Sequence, residues 1–393
     1  MSSVLIKNAI LVLPERTVTD QDVLCKEGTI VNIAPFTKLQ PPATTEIVDA
    51  AGAYLVPGFI DLHFHGLLEY IVDNGTDDLA NICSQLPQFG VTSFLPTLCP
   101  LPKGKDAEFL TSLVKVKSQG TQILGFHLEG PFLTLTGALS AEALGKADID
   151  RVNNLINAAK PYKAIFSIAP DFEGIDELIP IMTRNDSPVF ITHTMADVKQ
   201  TQRAIELGAC HATHFYDVFP CPEVSDPGVR PCGAVEAILA EQNVSVDFIL
   251  DGEHVDPVPV KMALECKGSD KVCLITDSNI GAANKPGRYK FNGREVEFTY
   301  PGGPARLTED DKDAGGLAGS GLTMDLAVRN AVKMLDADIP LAVRMASTNP
   351  AKVLRLENTK GQIKPGFDAD MVLLDEKLQV IQTFISGKCC YKK

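Results

Sequence analysis

At 393 residues, 45% hydrophobic and 22% charged, the chain has the size and composition of one large globular domain with an appendage, or of two domains. Its formal net charge of −14 argues against nucleic acid or an anionic membrane surface as the partner, and no run approaches the roughly 20 apolar residues of a membrane span. The 10 cysteines include no C-x-x-C pair, and Cys83, Cys210 and Cys273 lie in apolar runs, which reads as reduced, buried thiols in a cytoplasmic protein rather than a disulfide framework.

From the N-terminus, MSSVLIKNAILVLPERTV carries Lys7 and Asn8 inside its apolar part and has no basic leader, so it reads as a strand rather than a signal peptide. DVLCKEGTIVNIAPF and TEIVDA continue with short strands, and GQIKPGFDADMVLLD and LQVIQTFISGK add two or three at the other end. Residues 1–54 and 346–393 are therefore expected to build one small β-sandwich domain from both ends of the chain. The middle, 55–345, alternates. Eight runs rich in Val, Ile and Phe (FIDLHFH, VTSFLPT, ILGFHLE, AIFSIAP, VFITHT, CHATHFY, SVDFILDG and KVCLITDS) are mostly separated by helix-spaced stretches such as DDLANICSQLPQF and ADVKQTQRAIELG. This is the α/β pattern of a (β/α)8, TIM-like barrel. A doubly wound open sheet is the alternative, and both the count of eight and the missing G-x-G-x-x-G after the first strand weigh against it.

In a barrel, chemistry sits at the C-terminal ends of the strands. His63 and His65 follow the first run, Glu129 the third, His193 the fifth, His214 the sixth, His254 the seventh and Asp277 the eighth. Histidines at i and i+2 on a strand share a face, so both imidazoles reach one ion. Imidazole and carboxylate are ligands that suit zinc and its neighbours in the first transition row. His127, two residues before Glu129, reads as support for the ligands, and His211, on the face opposite His214, as a packed core histidine.

PGFIDLHFHG, HLEGPFL, ITHTMAD, ATHFYDVFP, DGEHVDP, LITDS, LAGSGLTMDLAVRN and the closing GQIKPGFDADMVLLD occur in the order found in N-acetylglucosamine-6-phosphate deacetylases of the amidohydrolase superfamily. The chain resembles that family over nearly its whole length. The resemblance implies a metal-dependent hydrolase of amide C–N bonds that deacetylates an N-acetylamino sugar, and a homodimer. It implies that Glu129 binds a divalent ion with His193 and His214 and bridges to a second held by His63 and His65. Asp277 would stand at the metal as catalytic acid/base, with His254, Asp217, Val218 and the backbone of Leu317 facing substrate. Zn is the expected ion, one or two of them, with Fe, Mn or Co as alternatives.

The recognition end departs from the family pattern. Asp217 stands where the family has an asparagine, Ser225 where an arginine reaches phosphate across the dimer, and Leu139 where a histidine is usual. Arg230, five residues beyond Ser225, is the candidate replacement cation. A carboxylate next to a phosphate repels it, and a hydroxyl does not replace a bidentate guanidinium. An unphosphorylated amino sugar, or another small N-acyl or cyclic amide substrate, is the alternative these changes raise. A metal-binding protein without turnover is the reading from another class; it leaves Asp277 without a purpose.

Overall fold

A computed structural model describes residues 3–35, 38–39, 41–224 and 226–393. The eight apolar runs form barrel strands β1 (Phe59–Phe64), β2 (Val91–Leu98), β3 (Gly125–Phe132), β4 (Lys163–Ile168), β5 (Val189–Ile191), β6 (His211–Ala212), β7 (Ser245–Ile249) and β8 (Val272–Ile275). Each pairs in parallel with the next. β8 returns to β1 through the Phe64–Ser278 bridge and the bond from Asp277 N–H to the His63 carbonyl, 3.0 Å. Every residue of β1, β2 and β3 is buried, because one face of each strand fills the barrel and the other lies under helices. Those helices carry their own boundary signals. Val198–Leu207 starts at Asp197, which exchanges hydrogen bonds with Gln200 in a capping box, and stops at Gly208 with φ 119°.

The chain ends meet in one sheet. Ser3–Leu13, Arg16–Lys26, Thr29–Pro35, Glu46–Asp49 and Tyr54–Pro57 join Met371–Leu374, Val380–Ile385 and Lys388–Lys392 in an eight-stranded sheet. Tyr54–Pro57 is the seam, parallel to Ser3–Leu13 and antiparallel to Met371–Leu374. Val4, Ile6, Val23, Leu55, Met371 and Phe384 form its core, separate from that of the barrel. The helix Thr348–Val353 packs on the barrel, where Asn349 donates to the carbonyls of Ser269 and Val272 at 2.9 and 2.7 Å.

After β8 the chain departs from simple β/α alternation. Gly287–Phe291, Arg294–Phe298, Pro304–Leu307 and Leu317–Ser320 form a four-stranded antiparallel sheet. GGLAGSG, which reads as a flexible glycine loop, holds a strand because Leu317–Ser320 pairs with Pro304–Leu307 on one side and bridges Ser278 on the other. Phe291, Val296, Phe298, Leu307 and Ala318 pack with Leu133 and Leu139 into a small core beside the strand ends. Among the described residues no helix is long and apolar enough to cross a membrane.

Candidate metal centre

Six of the candidate residues converge at the C-terminal end of the barrel. His63 and His65 project from the end of β1 with their Nε2 atoms 3.1 Å apart. Glu129, within β3, lies between two pairs of rings: its Oε2 is 3.5 and 3.2 Å from His63 and His65 Nε2, and its Oε1 is 3.3 and 3.0 Å from His193 and His214 Nε2. Asp277 closes the group, with Oδ1 3.4 Å from the Nε2 atoms of both His63 and His65. All six are buried. Within this cluster His63, Glu129 and His214, and again His63, His65 and Asp277, have ligand atoms within 4.8 Å of one another, as an ion requires. Imidazole nitrogens and carboxylate oxygens in this number suit a divalent transition metal.

The backbone is strained where the candidate ligands are delivered. His193, His214 and Asp277 have φ of 47°, 33° and 44°, the left-handed region that non-glycine residues seldom occupy and that gathers at functional sites. The residues beneath hold them there. His214 N–H donates to buried Asp247 at 2.5 Å, and Asp247 also accepts from His211 Nε2 at 2.7 Å. The Asp61 carboxylate, pushed up to about 7 by burial, accepts from Thr276 Oγ1 at 2.6 Å. His127 bonds the Leu62 carbonyl (3.0 Å) and Ser167 Oγ (2.6 Å) and packs edge-on against the His63 ring at 4.5 Å.

Electrostatics in the cluster oppose burial and prevail over it. Desolvation would raise Glu129, but facing His63 and hydrogen-bonded to His193 and His214 it stays well below the usual carboxylate range. Desolvation would lower His65 and His214, but the Glu129 hydrogen bonds and the charges of Glu129 and Asp277 carry them up to about 9 and about 10.

A cavity of about 300 Å³ opens onto this cluster, walled by Asp217, Val218, Leu139 and Leu317 and by Phe291 and Asp313 of the four-stranded insert. Asp217 and Leu139, two of the three departures at the recognition end, thus face it; Ser225 lies outside the described residues. His254 does not line the cavity. It is buried, with Nδ1 bonded to Asp251 at 2.7 Å and Nε2 without a hydrogen-bond partner among the described residues. Arg230 is exposed at the surface, paired with Glu236 at 2.7 Å, and is not among the residues that line the cavity. Sequence reasoning missed Phe291, Leu307 and Asp313, which carry no motif and reach the cavity only because the insert folds back over β8.

A family model described as the amidohydrolase family matches residues 54–390. An N-acetylglucosamine-6-phosphate deacetylase of Lysinibacillus sphaericus is 30% identical, over 98% of this chain and 97% of that protein. An N-acetylgalactosamine-6-phosphate deacetylase of Escherichia coli O157:H7 is also 30% identical, over 96% and 97%. Among solved structures, a mutant N-acetyl-D-glucosamine-6-phosphate deacetylase of Mycobacterium smegmatis in complex with N-acetyl-D-glucosamine-6-phosphate superposes with a TM-score of 0.88 at 25% identity, covering 100% of both chains.

Proposed function

From the premise that this chain belongs to the amidohydrolase family, and within it to the N-acetylglucosamine-6-phosphate deacetylases, we propose that it removes the acetyl group from an N-acetylamino sugar with Asp277 as acid and base. The observation that carries this is the position of the Asp277 carboxylate, 3.4 Å from both His63 and His65, at the floor of a cavity large enough for one small ligand.

His63, His65, Glu129, His193 and His214 would hold the metal, with Asp277 beside them. Glu129 would span two ions, since each of its oxygens faces a different pair of histidines. We assign zinc, with Fe, Mn and Co as the alternatives that the same donors accept. Bound there, a divalent ion supplies Lewis acidity toward the acyl oxygen and a water acidic enough to lose a proton near neutral pH. Asp277 accepts that proton as the water attacks the acyl carbon, then delivers it to the nitrogen as the C–N bond breaks. One carboxylate serves both steps because the proton it gains is the one the departing amine needs. Asp217, Val218 and Leu317 would contact the sugar end of the substrate, and His254, close enough to feel the charges of Asp217 and Asp277, is the candidate to turn its Nε2 toward it.

The free thiols of all 10 cysteines support a reducing, cytoplasmic setting. A homodimer is the assembly that the family relationship leads us to expect. Asp277→Asn tests the central assignment. Acetate release is expected to fall by about 10²–10⁴-fold with metal content, read by elemental analysis, unchanged; an active variant would sink it.

A further inference from the structure

Four histidines turn Nε2 toward Glu129. To ligate an ion each must keep that lone pair free, so in the neutral ring Nδ1 carries the hydrogen and requires an acceptor behind it. For His193 the acceptor is the Leu135 carbonyl at 3.0 Å, and for His63 it is Thr213 Oγ1 at 3.2 Å. For His214 it is the Asp217 carbonyl at 3.3 Å. His65 differs. Its Nδ1 faces a thiol, Cys99 Sγ, at 3.7 Å.

That thiol has a carboxylate behind it. Cys99 follows β2 directly, and its N–H donates to Asp73 Oδ1 at 3.1 Å. The other oxygen, Asp73 Oδ2, is buried with no hydrogen-bond partner among the described residues. A ring nitrogen of His65, Cys99 Sγ and a carboxylate oxygen of Asp73 lie within 4.8 Å of one another. The Phe291 ring, 6.1 Å from that of His65, covers this side of the cluster. A thiol both donates and accepts, each weakly; here it stands between an N–H that must donate and a carboxylate oxygen that needs a donor.

We propose that Cys99 and Asp73 are positioning residues for His65. Nδ1–H donates to Sγ, the S–H donates to Asp73, and the relay holds Nε2 toward the ion that His65 shares with His63. The inference rests on the ligand assignment above. Because sulfur is a weaker acceptor than the carbonyls behind His193 and His214, the ion at His63 and His65 is the more readily exchanged of the two.

Elemental analysis and competition with a chelator, on the whole protein loaded with Zn²⁺, test this. Wild type is expected to hold two ions and release one first. In Cys99→Ala and in Asp73→Asn the weaker ion is expected to lose about 10–100-fold in affinity while the tighter one is unchanged. Cys99→Ser, whose hydroxyl donates and accepts in the same places, is expected to stay within about threefold of wild type. Unchanged affinities in Cys99→Ala, or a serine variant as weak as the alanine one, overturn the relay alone. A wild-type chain that never holds a second ion overturns the assignment of His63 and His65, and the relay with it.

Discussion

The carbonyl oxygen of Asp277 lies 2.8 Å from where a Cβ on Gly319 would stand, and Gly319 has φ +72°. The contact lets Leu317–Ser320 run against the end of β8, with Ser320 N–H donating to that carbonyl at 2.8 Å. The insert can therefore wall the cavity while Asp277 keeps its strained backbone at φ 44°. Alanine at 319 must move either the strand or Asp277. Gly319→Ala is expected to cost about 1–3 kcal/mol of stability, read by thermal denaturation, and to lower kcat by at least about tenfold with metal retained. Wild-type kcat in a folded variant would show that the close approach does not position Asp277.

The barrel is legible in sequence because its strands, buried on both faces, read as unbroken apolar runs, and the candidate ligands are legible because each sits in the last residues of such a run or just past it. His63 and Asp277 lie far apart in the chain, yet the strand-end rule places both at one rim. The insert escapes the same reading. Its first strand, Gly287–Phe291, alternates partly exposed and exposed residues up to one buried phenylalanine, a weak signal between two segments already taken as barrel. Cys99 and Asp73 escape for another reason: a cysteine after a strand and an aspartate in a short turn (Val72–Asn74) have no pattern until folding joins them. Arg230 pairs with Glu236 at the surface of its own chain, and a sequence motif carries no information about which acid a long cationic side chain finds there.

Metal binding is expected to release protons. His65 and His214 sit at about 9 and about 10 with only their protein neighbours around them, so at pH 7 both are protonated in protein stripped with a chelator. An ion requires their neutral nitrogens. Loading at pH 7 should therefore release about two protons, and affinity should rise with pH up to about 10 and fall as pH drops. Calorimetry in two buffers of different ionisation enthalpy counts the protons; an identical heat in both would refute the charge state.

Phosphate on the substrate is expected to bring no advantage. Asp217 and Asp313 face the cavity, Leu139 lines it where the family pattern has histidine, and no lysine or arginine is among the described residues that line it. The Asp217 carboxylate has no salt-bridge partner among the described residues, although its charge raises His214 and His254. The kcat/KM for an N-acetylhexosamine should equal or exceed that for its 6-phosphate. Asp217→Asn should shift the ratio toward the phosphate by about tenfold, ~1.4 kcal/mol. A wild-type enzyme that strongly prefers the phosphate would show that a cation reaches the cavity from outside the chain, and loss of that preference in Arg230→Ala would name it.

Asp247 supports the centre from beneath, and its two replacements should differ. It is fully buried and accepts from His211 Nε2 at 2.7 Å, from Thr213 Oγ1 at 3.1 Å and from the His214 N–H at 2.5 Å. Asp247→Ala leaves these donors without an acceptor in a dry interior, and a loss of about 3–5 kcal/mol is expected, read as a large drop in melting temperature. Asp247→Asn keeps one oxygen for the His214 N–H. His211 can then change tautomer, accepting at Nε2 from the new amide and donating from Nδ1 to Ser245 Oγ, 2.7 Å away. The asparagine variant is therefore expected to lose only about 1–2 kcal/mol and to keep the ion proposed at Glu129, His193 and His214, and the alanine variant to lose that ion. Equal melting temperatures for the two variants would mean that the oxygen kept by asparagine does not hold the His214 N–H, and that the strained backbone of His214 is held by something else.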